Sequence, residues 1–157
     1  MKLIFKLFIF FTIVFSADKR LKIIQADIMQ SHEEDSQPIT ELKGNVILQK
    51  NTLLLYTDKA TNYPNLSIFK LTGPVTMIDS SDTMKCNNLT YFSDSLDFVL
   101  ATGDVNFKKP NQLIQCDSLY YWTDIDSGYA IGNVRFNQEK RKITTDYIHY
   151  KETTGAK

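Results

Sequence analysis

The sequence predicts an all-β protein, an elongated folded sheet of the β-jelly-roll type, built from two-strand repeats of about 29–30 residues. Three observations lead to this prediction. A glycine between alternating apolar residues recurs in LKGNVIL, LTGPVTM, ATGDVNF and AIGNVRF. An Asp or Asn follows each of these glycines fourteen residues later. The 157 residues also include 10 Phe and 8 Tyr, residue types that strands favour.

The first sixteen residues are typical of a secretory signal peptide. Two lysines precede an apolar run from Leu7 to Phe15, and Ser16 stands before a cut at Ala17. The run is shorter than the ~20 residues that a membrane-spanning helix needs. We therefore predict a signal peptide at 1–16 and one β-jelly-roll domain at 17–157. The alternative is that residues 3–15 are retained as a membrane anchor.

The repeat has a constant internal spacing. Its glycines are Gly44, Gly73, Gly103 and Gly132, and its corner positions are Asp58, Asn87, Asp117 and Asp146. A half-copy, IIQADIM at 23–29, aligns on Asp27 and has no glycine segment before it. The pattern predicts about nine strands, beginning and ending with a half-repeat.

Each repeat divides into two strands with different alternation. In the first strand, Leu42, Gly44, Val46 and Leu48 share one face, which predicts that the glycine lies on the inward face and permits a sharp bend. In the second strand the apolar positions shift by one after the Asp or Asn. Such a shift indicates an added residue at that point, as in a β-bulge or corner.

Turn residues separate these strands. NYPNLS at 62–67, SDS at 93–95 and TDIDSG at 123–128 lie between repeats, whereas KNT at 50–52 and KKPNQ at 108–112 lie within them. Two departures from the regular repeat are expected. They are a longer polar loop at 30–40 and a local irregularity at Pro74, which has no N–H to pair.

The inward positions form an apolar stripe that recurs in every repeat. It has two interpretations, the wall of a groove for acyl chains or an ordinary core packed against itself. The predicted stripe consists of Val46, Leu48, Leu55, Val75, Met77, Met84, Leu89, Val105, Phe107, Ile114, Leu119, Val134, Phe136, Ile143 and Ile148.

The polar residues do not predict an enzyme. The aligned Asp series is better explained by corners, where Asp and Asn bond to nearby backbone N–H groups, than by catalytic carboxylates or a calcium ladder. SHEED at 31–35 is more typical of a solvated turn than of a metal site, and His149 is expected at the surface. No nucleophile–base pair, phosphate loop or metal-spaced set is visible, and we predict no catalytic residue, metal or cofactor. Balanced charges, 18 basic and 18 acidic side chains, do not indicate nucleic-acid binding.

Two cysteines, Cys86 and Cys116, occupy equivalent positions in adjacent repeats. A solenoid would place them about 4.8 Å apart, within bridging distance. A meander would place another strand between them and separate them by about 10 Å, too far for a disulfide. The short turns favour the meander and unpaired thiols.

Taken together, segments such as LKGNVIL and CDSLYY at this period resemble the OstA-like (LptA) family of lipopolysaccharide-transport proteins. The resemblance extends over about residues 20–150. It implies a β-jelly roll that carries the acyl chains of lipopolysaccharide, or a related lipid, across the periplasm of a Gram-negative-type bacterium. It also implies docking with inner-membrane and outer-membrane components of the same pathway.

The terminal half-repeats are expected to be open sheet edges. They contain Ile23 and Ile24 at one end and Ile143 and Ile148 at the other, and a head-to-tail homo-oligomer is one way to pair them. Two alternatives to a periplasmic carrier remain. They are a membrane-anchored component of the same pathway and a non-lipid structural or carbohydrate-binding β-repeat.

Overall fold

The computed structural model describes residues 20–93 and 97–151, so the predicted signal peptide lies outside the described residues. The described residues form ten strands and one short 3-10 helix, Pro64–Leu66. The strands are β1 Lys22–Gln25, β2 Ile28–Glu34, β3 Gln37–Lys50, β4 Leu53–Tyr63, β5 Ile68–Asp79, β6 Asp82–Phe92, β7 Phe98–Lys109, β8 Gln112–Trp122, β9 Ser127–Gln138 and β10 Arg141–Lys151. No helix in this part of the chain is long and apolar enough to cross a membrane.

All ten strands belong to one antiparallel sheet, which confirms the predicted fold class. From β3 onward each strand pairs with the next in the sequence, and β1 and β2 both pair with β3. The sheet therefore has nine positions, because β1 and β2 occupy one position and are interrupted near Asp27. We call β3, β5, β7 and β9 the glycine strands, and β1/β2, β4, β6, β8 and β10 the corner strands.

The predicted corners exist, but the added residue is in the other strand. Gly44 and Asn45 together lie opposite the single residue Asp58, and the same register shift recurs along the sheet. Gly44 and Asn45 both have left-handed backbones, at φ +73° and +46°. The expectation of an added residue at the Asp or Asn is wrong: the added residue is in the glycine strand, where glycine accepts the left-handed conformation at no steric cost.

The glycines do not point into the apolar interior as expected. A Cβ on Gly132 would meet the exposed Asp117 carboxylate at 2.4 Å, and one on Gly103 would meet Asn87 at 2.9 Å. Each of these glycines therefore lies under the corner side chain of the preceding strand. Its missing side chain makes room for that contact as well as for the positive φ.

Two local expectations also change. Residues 30–40 form a hairpin instead of a loop, since β2 and β3 pair up to a two-residue turn at Asp35–Ser36. Both turn residues have positive φ, the conformation that tight hairpins need. Pro74 does mark an irregularity. It follows Gly73 but has no positive φ, unlike its counterparts in the other three glycine strands, because its ring fixes φ near −65°.

The strands fold back on themselves at the corners. Phe107 on β7 pairs with Ile114 on β8, seven residues before Tyr121. In a flat strand that separation is about 23 Å. The Phe107 and Tyr121 rings are only 4.9 Å apart, so the two halves of the sheet face each other. The apolar stripe lies between the halves and forms one continuous core cluster from Leu21 to Phe136.

Candidate functional site

The space between the two halves contains most of the predicted stripe. Thirteen of its fifteen residues are buried, among them Leu48, Phe107 and Leu119, each 0% exposed. Ile148 is half-buried, whereas Ile143 is 44% exposed because no further strand covers β10. The aromatic Tyr91 and Tyr121 lie in the same interior. The result is an apolar layer that extends across the sheet from strand to strand.

The two edges of this layer are formed by the turns, which we call the rims. The first rim consists of the hairpin turns at 51–52, 80–81, 110–111 and 139–140. The second rim consists of the connections at 64–67, 93–97 and 123–126, of which the structure describes all but 94–96. Because the sheet folds at its corners, the rims lie against each other on the side opposite the corners.

Ion pairs join the rims at two places. Lys50, at the end of β3, contacts the Asp97 carboxylate on the second rim, and the Tyr91 hydroxyl donates to the same carboxylate at 2.7 Å. The Lys50 and Asp97 side chains are 9% and 12% exposed, so this pair is largely removed from water. A shielded pair of this kind is screened less by salt than a surface pair.

The second cluster repeats the first. Lys109, at the end of β7, contacts Asp126 and lies 3.3 Å from Asp82. The Tyr121 hydroxyl donates to Asp126 at 3.1 Å. We call the two Tyr–Asp–Lys groups the rim clusters. They hold the two halves of the sheet together over the apolar layer.

The rim clusters change the ionisation of their members. Burial raises the pKa of Tyr91, and its bond to Asp97 raises it further, so the hydroxyl remains a donor. The pKa of Tyr121 is raised in the same way, by burial and by the nearby Asp126 charge. Burial by itself raises the pKa of Asp97, but the hydrogen bonds from Lys50 and Tyr91 outweigh it and leave the pKa lowered.

Sequence reasoning missed these clusters although a signal was present. Lys50 and Lys109 each lie six residues after a repeat glycine, and Asp97 and Asp126 each lie six residues before one. The spacing identifies equivalent positions. Only the fold-back shows that the two positions meet.

The corner residues form a ladder on the exposed outside of the bend. Asn45 donates to Asp27 at 2.9 Å, and Asn133 donates to Asp117 at 2.9 Å. In a third pair the roles are exchanged, since Asn87 of the corner strand donates to Asp104 of the glycine strand at 3.0 Å.

Each of these pairs joins a corner strand to the glycine strand that follows it. The side-chain partners replace the backbone N–H contacts that the sequence predicted. The fourth corner residue, Asp58, lies in the register shift between β4 and β5, beside Gly73 and Pro74, and proline offers no amide side chain. Amide–carboxylate pairing of this kind is structural.

The remaining polar candidates stay apart. His32, Glu33 and Glu34 are exposed on β2, and His149 is exposed and stacks on Tyr129 at 4.5 Å between ring centroids. Within the described ranges, no group of three His, Cys, Asp or Glu is arranged to hold a metal ion.

The two cysteines are buried and unpaired. They lie on β6 and β8 with β7 between them, as the meander predicted. Burial raises the pKa of Cys86 to about 12 and that of Cys116 to about 11, so both thiols stay protonated.

Both ends of the sheet expose apolar side chains. On β1 and β2, Ile24 is 54% and Met29 is 62% exposed, and Ile23 is 36% exposed. On β10, Tyr147 is 53% exposed in addition to Ile143. The four predicted edge residues therefore all lie on terminal strands, with Ile148 the most covered.

Comparisons with known proteins point to one family. The family model described as OstA-like protein matches residues 77–156. Among solved structures, the chain is similar to LptH from Pseudomonas aeruginosa, described as the LptA-homologous periplasmic component of the lipopolysaccharide transport device. That similarity has a TM-score of 0.61 and 16% identity, and covers 74% of this chain and 85% of LptH. No curated protein matches the sequence.

Proposed function

Since the chain belongs to the family of OstA-like proteins, we propose that it carries lipopolysaccharide, or a related lipid, through the periplasm between the inner and outer membranes. The observation that supports this most is the apolar layer between the two halves of the sheet, which runs across the molecule and is bounded by polar rims. Acyl chains fit such a layer, and the polar head of an amphiphile would remain outside at the rims.

The binding energy would come from burial of acyl chains. Each methylene transferred from water contributes about 0.8 kcal/mol, so a few chains give firm binding. The interior side chains now fill the space between the halves, with Phe107 and Met77 0% exposed. An acyl chain would therefore enter by parting the rims and taking the place of contacts between the halves.

Entry between the rims gives the rim clusters a role in this function. Separating Lys50 from Asp97 and Lys109 from Asp126 exposes both charges to water, which compensates part of the lost attraction. The clusters would thus keep the empty carrier closed and soluble without making the closed state irreversible. The described chain has no motif for a motor, so energy for directed transport would come from partners.

The bridging role would use the two open edges of the sheet. Edge-to-edge pairing with inner-membrane and outer-membrane components, or with a second copy, would continue both the sheet and its apolar layer. The nine sheet positions span about 40 Å at ~4.8 Å per strand. A longer path would require several domains in series.

Photo-crosslinking of lipid tests this proposal. A photoreactive side chain at Phe107 or at Phe136 should capture lipopolysaccharide or another acylated lipid in cells, identified by mass spectrometry. The matched controls are Lys108 and Arg135, exposed neighbours on the opposite face of the same strands, which should not capture it. Equal capture at inward and outward positions, or none at the inward positions of a folded protein, would refute an interior lipid site.

N-terminal sequencing of the mature protein decides between a free and an anchored carrier. A start at Ala17 supports the free periplasmic form, whereas retention of residues 3–15 supports the membrane-anchored component. Lipid extraction from protein purified out of its native envelope separates both from a structural or carbohydrate-binding module, which would yield no stoichiometric lipid.

A further inference from the structure

The outer surface of the half next to the first rim is positively charged on β6–β10, and we call it the basic face. Two rows of side chains point away from the apolar layer there, and directly paired residues link each row from strand to strand. The rows are Lys85, Asn106, Gln115 and Arg135, and Lys108, Leu113, Asn137 and Lys142. All four cations are exposed, and neither row contains an acid. The basic face therefore favours a negatively charged ligand.

A cleft of about 590 Å³ lies on the basic face, beside the hairpin turns of β7–β8 and β9–β10. Its volume is within the range of ligand-binding pockets, about 300–1,000 Å³. The residues that line it include Asn106, Lys108, Asn111, Gln112, Leu113 and Asn137. Four side-chain amides and one ammonium group thus surround the apolar side chain of Leu113.

This set of side chains suits a saccharide that carries an acidic group. An amide both donates and accepts hydrogen bonds, as a sugar hydroxyl does, and in the described part of the chain these four amides have no protein partner. Lys108 supplies a charged donor for a carboxylate or phosphate. Glu139, in the β9–β10 turn, also borders the cleft and is an acceptor for a hydroxyl. Leu113 offers an apolar contact for the C–H groups of a sugar ring.

A second cleft borders the first on the side of the rim clusters. It has a volume of about 390 Å³, and its lining includes Lys109, Asp82, Asp126 and Glu139. The Lys109 ammonium group is already paired with both aspartates. An anionic head group that extended from the apolar layer would meet these carboxylates before it reached Lys108, and like charges repel. The basic face is therefore better placed for an anion that arrives from the solvent.

We propose that the cleft on the basic face binds an anionic saccharide unit of a glycan that is separate from the carried lipid. Lys108 contacts the acidic group, and the amides of Asn106 and Asn137 contact hydroxyls. The other three cations of the basic face are then available to the next acidic units of the same glycan chain, since each row spans three strand spacings, about 14 Å. This site goes beyond lipid carriage and does not depend on it. It would attach the protein to an anionic glycan while the rims stay free.

Nuclear magnetic resonance titration of the mature chain tests this site. The probe is a tetrasaccharide of galacturonic acid, and its methyl ester is an uncharged counterpart of the same shape. We expect the acidic probe to shift the side-chain amide signals of Asn106, Gln112 and Asn137. At low salt it should bind about tenfold more tightly than the ester, because only the acid is attracted by the four cations.

Substitutions of exposed residues locate the contact. Lys108→Glu should weaken binding of the acidic probe about tenfold, because it replaces an attraction with a repulsion. The matched control, Lys59→Glu, makes the same change at an exposed lysine on β4. It should alter binding less than about twofold, because β4 and β7 are three strand spacings apart, more than a Debye length. Asn137→Leu should weaken both probes about fivefold by removing a partner for a hydroxyl.

Four results of the titration would overturn the proposal. They are no shift of the cleft amides, binding of the ester as tight as that of the acid, equal losses in Lys108→Glu and Lys59→Glu, and displacement of the acidic probe by equimolar inorganic phosphate, which would indicate a site for an anion only.

A photoreactive side chain at Lys108 distinguishes the two sources of an anionic saccharide in cells. We expect it to capture a glycan without acyl chains. Capture of an acylated lipid would overturn the proposal, because it would assign the cleft to the head group of the carried lipid. No lipid enters the titration, so glycan binding and lipid carriage can fail separately.

Discussion

At the residue scale, the outer bend depends on pairs of short polar side chains. Asn and Asp exchange sides between copies, yet each pair retains one amide and one carboxylate. An amide can donate to a carboxylate, whereas two carboxylates repel. This explains why Asn87 replaces an Asp without disturbing the repeat: Asp104 stands opposite it.

The Asn87–Asp104 pair offers a direct test of this pairing. Asn87→Asp should destabilise the protein by about 1 kcal/mol, because it places a carboxylate beside Asp104. The double variant Asn87→Asp/Asp104→Asn should recover the loss, since it restores the arrangement of the other copies. Urea unfolding at low salt gives the free energies, and failure of the double variant to recover would contradict the pairing.

The glycines offer a second residue-scale test. Gly73→Ala and Gly103→Ala both place a side chain at positive φ, +96° and +78°, which costs about 1–2 kcal/mol. Only at Gly103 would the new Cβ also meet a neighbour, the Asn87 Cβ at 2.9 Å, whereas Gly73 has nothing within 4 Å. Gly103→Ala should therefore be the more destabilising variant in thermal unfolding. Equal losses of stability in the two variants would show that the contact between Gly103 and Asn87 is unimportant.

At the scale of strands and turns, the closed state depends on contacts between elements that are distant in sequence. Lys50 ends β3, and Asp97 precedes β7. Their contact closes the fold-back only when the corner has formed. The rim clusters therefore report on whether the two halves of the sheet are together.

This contact predicts a pH dependence of stability. The pKa of Asp97 is lowered in the folded protein. Ionised Asp97 therefore stabilises the fold above its unfolded pKa of about 3.9, and this contribution is lost as pH falls further through the folded pKa. The difference in unfolding free energy between the wild type and Asp97→Asn should shrink below about pH 4. Asn111→Ser, an exposed change on the first rim that alters no titratable group, should show no such trend.

At the scale of the whole molecule, the meander decides the state of the cysteines. Equivalent positions in adjacent repeats are two strands apart, about 10 Å, which is too far for a disulfide. Both side chains are also buried in the common core, Cys86 and Cys116 each at 6% exposure.

The thiols should therefore remain free and unreactive in an oxidising compartment. Native protein should resist alkylation at pH 8, because burial raises both thiol pKa values to about 11–12 and restricts access. Unfolding without reductant should add two alkyl groups by mass spectrometry. A protein mass two units lower, with no alkylation of the unfolded chain until a reductant is added, would instead indicate a disulfide.

The sequence by itself determined the all-β class, the strand order and the inward stripe, because glycine spacing and period-2 alternation are local properties of a strand. It also located the corners, since the change in apolar positions after Asp117 appears in the sequence.

Only the tertiary structure decided which strand carries the extra residue, which corner residues pair and which charged residues meet at the rims. A bulge is a relation between two strands. The Lys50–Asp97 contact joins residues 47 positions apart that come together only after the sheet bends. Local patterns specify which face a residue takes, whereas contacts across a fold-back depend on the angle of every corner between them.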